Sequence, residues 1–475
     1  MTSRLSLVLW LCAAAPAFAQ PAPRPAPKQP PAARPAAPAA IPDDTTAFER
    51  DLAALVSQGG LTADQAASRA AGASATVRRR VAEIEVALAQ LQTAELARVP
   101  VVSGRLSYTR LSPVDPFTIP IGPGVQIQSL QNAYLAEAQL VVPLSDYVLR
   151  YPHLIDAARL GAEVARIDKR SSEVGAGQDA RLAYYEWVRA RLQVLIAQRQ
   201  LVQVQRTLEQ VRALAEVQRL SRADLLRFES QEAQAEQVLD QLQNLALLRE
   251  EQLRLLIGAP GGEPLAMGED IRADVAVPGA AQLDQLLGTA VHQRLEFKAI
   301  DTGLAVRDRQ RAAEQANRLP RLSAFATADY ADPNQRVFPQ EDKFKFTWQV
   351  GAQLTWALND ALVSQATERR LRAEASELRA DRDNLERGTR IEILAAQQAV
   401  AIAQHALATS QKGLAAAEEG YRVRRELLNA ERATAVELVD AETDLTRARI
   451  TALNARVDLR VARAQLDHAL GNDAK

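Results

Sequence analysis

The chain has 475 residues, 47% hydrophobic but only 4% aromatic, with 57 basic and 58 acidic side chains and a net charge of −1. Near-neutral charge gives no electrostatic case for nucleic acid, a mean hydropathy of −0.18 excludes a polytopic helical membrane protein, and one Cys with four scattered His excludes a disulfide framework or a His/Cys metal site. Length alone suggests about three domains, yet apolar content this rich in Ala, Leu and Val suits narrow helix–helix seams better than thick cores.

Residues 1–19 read as a secretory signal peptide: Arg4 is the basic start, Leu5 to Ala15 the apolar run and Ala17-Phe18-Ala19 the cleavage site. Removing them takes Arg4 away, leaving 56 basic against 58 acidic residues. Cys12 lies inside this segment. Leu11 ahead of it departs from a lipidation signal, which wants a small residue there. Residues 20–44 form a Pro/Ala-rich linker, whose alternating prolines favour extended polyproline II over a packed core. The folded part is expected from about Thr45.

An internal repeat decides the architecture. Ala138-Gln139-Leu140-Val141-Val142-Pro143-Leu144-Ser145-Asp146 matches Ala352-Gln353-Leu354-Thr355-Trp356-Ala357-Leu358-Asn359-Asp360 at an offset of 214. Leu253 to Gly258 matches Leu466 to Gly471 at 213, and Arg98-Val99-Pro100 corresponds to Arg318-Leu319-Pro320. The chain therefore reads as two copies of one unit, 45–258 and 286–475, joined by 259–285. Each copy runs helix, Pro, strand, loop, strand, very long helix, turn, helix.

Strands are expected at about 101–111 and 132–144, then at 321–331 and 343–358. The clearest is Lys343–Trp356, where Phe344, Phe346, Trp348, Val350, Ala352, Leu354 and Trp356 alternate with polar or small residues, a period of 2. Twelve of the 19 aromatics after residue 19 fall in 101–151 and 321–358, among them Tyr108 and Tyr134. Aromatics gathered on alternating strands suit a lipid-facing barrel with interfacial girdles. A sheet packed on a soluble core is the alternative, but four strands offer it little core to cover.

No Pro occurs between Pro152 and Pro260 or after Pro339. A helix from about Leu149 to Val217 would span roughly 100 Å, with a return helix over about Asp224 to Ile257. In the second copy Leu438, Ala441, Leu445, Ala448, Ala452, Ala455, Leu459, Ala462, Leu466 and Ala469 follow 3,4 spacing. That period of 3.5 predicts a left-handed coiled coil. Shifted by 213, the first copy keeps the seam except at Glu232 and Arg249. Helix tips are expected at Val217–Asp224 and Ala430–Asp440, where Ser221-x-x-Asp224 and Thr434-x-x-Glu437 have capping-box spacing.

Four membrane strands leave two open edges, which in hydrocarbon must be closed by combining chains. With long helices continuing from each strand pair, the product is a tube. Gly122-Pro123-Gly124 lacks the context of a phosphate loop, and His153, His292, His405 and His468 lack ligand spacing. Tyr184, Tyr185 and Trp187 read as helix packing. The sequence offers no nucleophile motif, and the reading calls for no enzyme activity, cofactor or metal.

The duplicated unit, the Arg-x-Pro before each strand pair, the Ala-Gln-Leu strand ends and the run Glu431-Arg-Ala-Thr-Ala-Val-Glu-Leu-Val-Asp-Ala-Glu442 resemble the TolC family of outer-membrane efflux and secretion channels. The likeness covers residues 45–472. It implies a mainly α fold with β: a homotrimer whose four strands per protomer close a 12-stranded β-barrel continuing into a periplasmic α-helical barrel, with an equatorial belt from the termini and 259–285. It also implies a passive exit duct in the outer membrane of a Gram-negative bacterium. Its partners would be outer-membrane lipid, a periplasmic adaptor (membrane fusion) protein and an inner-membrane RND or ABC transporter, with no nucleic acid.

By the same resemblance, Gln218, Arg219, Ser221, Asp224, Glu431, Arg432 and Thr434 would form the adaptor-docking tips. Glu437 and Asp440 would form an acidic ring at the entrance; a helix cap for Glu437 and a solvent-facing Asp440 are the alternative. Gln218 and Glu431 stand where the family usually carries Gly. The Tyr and Arg that would partner Asp224 in a closing latch are Leu428 and Ala433 here. Other classes of function are a periplasmic coiled-coil adaptor or structural envelope protein, and an envelope enzyme with coiled-coil arms.

Overall fold

The computed structural model of the chain describes residues 44–474 except 115–116, 120–124, 128–129, 218–220, 263–264, 277–281 and 431. The signal-peptide and linker readings, Gly122-Pro123-Gly124, Gln218, Arg219 and Glu431 lie outside the described residues. The chain divides after Ala47, and what is described before that point is the first turn of helix α1 (Asp44–Ala54). The unit from Phe48 onward holds the rest of α1 and every other element.

Strand β1 (Val56–Leu61) leads to α2 (Ala63–Ala73) and α3 (Ala75–Leu96). Thr62 and Gln65 form a reciprocal capping box at the start of α2, and Ser74 caps α3, so two side chains set the break between these helices. Strands β2 (Val101–Arg110), β3 (Phe117–Ile119), β4 (Val125–Ile127) and β5 (Asn132–Val142) follow, then α4 (Leu144–Leu149), α5 (Tyr151–Glu216) and α6 (Arg222–Ile257). The second half holds α7 (Leu283–Gln293), α8 (Leu295–Ala316), β6 (Arg321–Asp332), β7 (Lys345–Thr355), α9 (Leu358–Asn429) and α10 (Ala435–Ala469).

The duplication is written into these bounds. Helices α2 and α7 have 11 residues each, α3 and α8 have 22, and both pairs start 220 residues apart. From β5 to β7 and from α6 to α10 the offset is 213. The seven-residue excess of the first copy thus lies between its two strands, where β3 and β4 form an extra antiparallel hairpin. Strands β1, β3 and β4 were not expected from the sequence: all are short, and Ser57-Gln58-Gly59-Gly60 within β1 has no alternating apolar pattern.

Helix α5, with 66 residues, is about 100 Å long, and α9, with 72, about 108 Å. The expected unbroken helix from Leu149 is corrected at its start. Arg150 separates α4 from α5, with Pro152 in the first turn of α5. Proline has no N–H to give to the preceding turn, so α4 cannot run on through it. The second copy lacks this proline, and α9 runs from Leu358 without a break.

Trp187, Tyr184 and Val188 on α5 are fully buried in the largest core, against Leu61, Ala66, Met267, Leu253 and Val457. Burial pushes the Tyr184 and Tyr185 hydroxyls up from the usual phenol range. β1 is held beside the inter-repeat segment: Leu61 N–H donates to the Ala266 carbonyl at 2.8 Å, and Gly268 N–H to the Leu61 carbonyl at 2.9 Å. A Cβ on Gly60 would sit 2.5 Å from the Met267 carbonyl carbon, and one on Gly268 2.1 Å from the Gly60 oxygen. Glycine at both positions lets the two backbones meet.

Eight of the ten α10 seam residues are buried, and Ala441 and Ala448 are half-buried. Each Leu so buried stabilises by roughly 1.5–3 kcal/mol. The first-copy seam is less covered: Phe228, Ala235, Ala246 and Leu253 are buried, but Leu256 is exposed. No described helix is long and apolar enough to cross a membrane.

Candidate functional site

β2, β5, β6 and β7 form one antiparallel sheet in that order, leaving one side of β2 and one side of β7 unpaired. The register pairs even with even numbers throughout: Tyr108 with Tyr134, Tyr134 with Asp332, and Tyr330 with Phe346. Residues paired across an antiparallel sheet share a face, so every even position lies on one side. That face carries Val102, Leu106, Tyr108, Tyr134, Leu140, Tyr330, Phe346, Trp348, Val350 and Leu354, with Gly and Ala between them, and the polar Arg110, Asn132 and Asp332 end it toward the loops. It is apolar yet uncovered: Leu106 is 85% exposed, Val350 71% and Trp348 65%. The odd face presents Ser103, Arg105, Glu137, Gln139, Thr327, Asp329, Thr347 and Gln349.

The expected membrane aromatics gather at two levels, with Trp348 between them, opposite Ala328. Toward the loops, the Tyr108 and Tyr134 rings lie 5.0 Å apart, Tyr134 and Phe344 6.0 Å, and Phe344 and Tyr330 5.1 Å, with Phe346 opposite Tyr330. At the helical end Trp356 donates its indole N–H to the Arg318 carbonyl at 3.2 Å. The Tyr147 hydroxyl donates to the carbonyl of Arg98. Arg98 and Arg318 are the equivalent arginines of the two Arg-x-Pro motifs. Each helix-to-strand joint therefore has its exposed carbonyl closed by an aromatic side chain, supplied from a different position in each copy.

A buried acid that the sequence reading missed anchors the second joint. Glu368 on α9 accepts from Gln315 at 2.9 Å and Arg372 at 2.6 Å and pairs with Arg318. These donors, the Gln315 amide first, hold its carboxyl below the usual range. The signal was Glu on a helix face four residues before Arg372; its partners 50 and more residues upstream could not be read from spacing.

At the other end the helical turns are shorter than expected, because α6 begins at Arg222 and α10 at Ala435. Asp224, Glu437 and Asp440 therefore lie inside helices. The Ser221 hydroxyl accepts from Asp224 N–H at 3.1 Å and donates to the Asp224 carboxylate at 2.6 Å. Thr434 accepts from Glu437 N–H at 3.3 Å. Glu437 lies 3.7 Å from Arg424, both half-exposed. Arg432 and Asp440 are exposed, and among the described residues Asp440 has no ion pair. Within one chain Glu437 thus both starts a helix and faces a cation, and the carboxylates of Glu437 and Asp440 stand one turn apart.

About two turns in from the tip, the two copies are tied together by a polar cluster that was not foreseen. Buried Glu442 on α10 accepts from the Thr207 hydroxyl at 2.9 Å and from Gln203 at 3.3 Å, both on α5. Gln203 also donates to the Tyr421 hydroxyl on α9. Glu442 ends the run from Glu431 that carries part of the family resemblance, but nothing in the pattern marked it as buried. Around it Leu208, Val211, Phe228 and Val439 form one apolar cluster, and Tyr421, Leu438 and Leu445 another.

No family model matches the sequence, and no curated protein matches it. Among solved structures, CusC, studied for folding and transmembrane channel formation, superposes with a TM-score of 0.71 at 17% identity, over 88% of this chain and 93% of its own. The outer-membrane channel OprN gives 0.68 at 18%, over 93% and 98%. The open state of the MtrE outer-membrane channel of Neisseria gonorrhoeae gives 0.69 at 17%, over 87% and 89%. At these identities the likeness speaks for the fold: nearly the whole of this chain folds as these outer-membrane channels do.

Proposed function

We propose that this chain is the exit duct of a tripartite efflux pump or type I secretion system, a passive conduit in the outer membrane of a Gram-negative bacterium. One observation carries the reading: a sheet with one exposed apolar face and one polar face, open at both edges, continues into helices of about 100 Å. Eleven residues at about 3.3 Å, tilted by about 40°, rise close to the ~25 Å apolar band of outer-membrane barrels.

Three copies would join β7 of each to β2 of the next and close 12 strands. This removes the unpaired edge groups that hydrocarbon does not tolerate. The helices support assembly as well. Leu247, Leu248 and Leu255 on α6 and Ile391 and Ile402 on α9 are exposed in the single chain, apolar surface that neighbouring copies would cover.

In the assembled duct the hairpin tips, with Ser221, Asp224, Arg432 and Thr434 beside Gln218, Arg219 and Glu431, would dock a periplasmic adaptor. An inner-membrane transporter would power the pump. Glu437 and Asp440 from three chains would put six carboxylates near one axis, a field that favours cations. Residues 1–19 would direct export, and 20–44 would act as a spacer.

The test is fractionation followed by reconstitution. The protein should need detergent for extraction, purify as a trimer and conduct ions in a planar bilayer. Recovery from the soluble periplasm as a non-conducting monomer would contradict the proposal.

A further inference from the structure

We propose that the polar face of the sheet carries a charge-selective row for permeating ions, made of Arg105, Glu137 and Asp329. The proposal rests on the conduit reading and adds a second selective level, separate from the carboxylates at the helical tips.

The row follows from the register. Arg105 pairs with Glu137, Glu137 with Asp329, and Asp329 with Thr347, so each strand contributes one residue to a single line across the sheet. The line crosses β2 and β5 near mid-strand and β6 and β7 nearer the loops, the stagger that tilted barrel strands produce. One row toward the helices, Ser103, Gln139, Thr327 and Gln349 are uncharged. One row toward the loops, Ser107, Leu135, Ala331 and Lys345 contain one charge, and Lys345 lies 3.2 Å from Glu341. At the helical end of this face Arg321 donates to Asn317 at 2.7 Å.

Arg105, Glu137 and Asp329 differ from these neighbours. Among the described residues none of the three forms an ion pair or a side-chain hydrogen bond, although the register sets opposite charges on adjacent strands. Charges within a membrane sheet are tolerated where they face water, and lumen-facing charges tune which ions pass. The row carries one cation and two anions per chain. In three chains six carboxylates would face three guanidiniums, an excess of negative charge on the permeation path. Its reach is about a Debye length, ~10 Å at 0.1 M salt and ~3 Å at 1 M. Cations are therefore favoured at this level, with Arg105 moderating the preference.

The experiment is the zero-current potential of the purified full-length protein in a planar bilayer under a KCl gradient. E137Q/D329N should shift it toward the chloride equilibrium potential. Arg105→Gln should shift it toward that of potassium. Both shifts should shrink when the same gradient is set around 1 M salt. Opposite signs are the signature, since general damage to the barrel would not give them. If the double variant fails to assemble, Asp329→Asn alone carries the test. Potentials unmoved by any substitution, or moved in one direction by all, would overturn the row. An assembled wild-type protein that passes no current would instead overturn the conduit reading itself.

Discussion

Phe325 and Gly351 face each other across β6 and β7, and the Phe325 ring occupies the space a side chain at Gly351 would need. A Cβ built on Gly351 would stand 2.8 Å from the ring's Cζ and 3.0 Å from one Cε. The glycine serves as the floor for its cross-strand neighbour, on the polar side of the sheet.

Gly351→Ala should therefore destabilise the protein by about 1–3 kcal/mol, the usual range for overpacking a tight site. In F325A the same glycine change should cost less, because the obstructing ring is gone. Thermal unfolding of the four proteins of this double-mutant cycle measures the coupling. Equal costs in both backgrounds would show that the contact does not matter.

Glu368 should make the second helix-to-strand joint sensitive to acid. Its folded pKa is lowered, so its contribution is present above the unfolded value near 4.3 and is lost as pH falls through the folded one. Melting temperature followed below pH 5 should fall more steeply for the wild type than for Glu368→Gln. Parallel profiles would assign the acid sensitivity to other carboxylates.

His468 works in the opposite sense. Its ring lies 2.7 Å from the Asp473 carboxylate, whose hydrogen bond raises the histidine pKa against the effect of burial. The contribution is complete below the unfolded value near 6.5 and disappears as pH rises through the higher folded value. Hydrogen-exchange protection in the last turn of α10 should fall across that window in the wild type and be low at all pH values in His468→Gln. Wild-type protection that is flat with pH would contradict the pair.

At the tips, Ser221→Ala and Thr434→Ala should each cost about 1 kcal/mol, the usual value for losing an N-cap. The loss should appear as faster hydrogen exchange in the first turns of α6 and α10, with little change near Trp187. Exchange that rises equally everywhere would point to global loosening.

The features legible in the sequence were those written in local periodicity. β7 alternates so regularly that its faces could be assigned one by one, and the seam from Leu438 to Ala469 is largely buried as its 3.5-residue period implies. The duplication was legible because equivalent segments recur at nearly constant offset. What escaped depends on partners far apart in the chain. Glu442 reaches Thr207 across 235 residues, and nothing near Glu442 marks its carboxylate as buried. The break at Arg150 was readable in principle, because Pro152 stands there. The length of apolar helix on either side masked it. The alternation that revealed the strands could not supply their mutual register, and with it the row of Arg105, Glu137 and Asp329.

Above all, the even face of the sheet should meet lipid and the odd face should meet water inside a conduit. Cys12 is the only native cysteine, so single cysteines along β7 can be labelled one at a time in intact outer membranes. A charged, water-soluble thiol reagent should modify cysteines at Thr347, Gln349 and Gln353 and spare those at Phe346, Trp348, Val350 and Leu354. Uniform labelling along the strand, or labelling of the even set alone, would contradict the account.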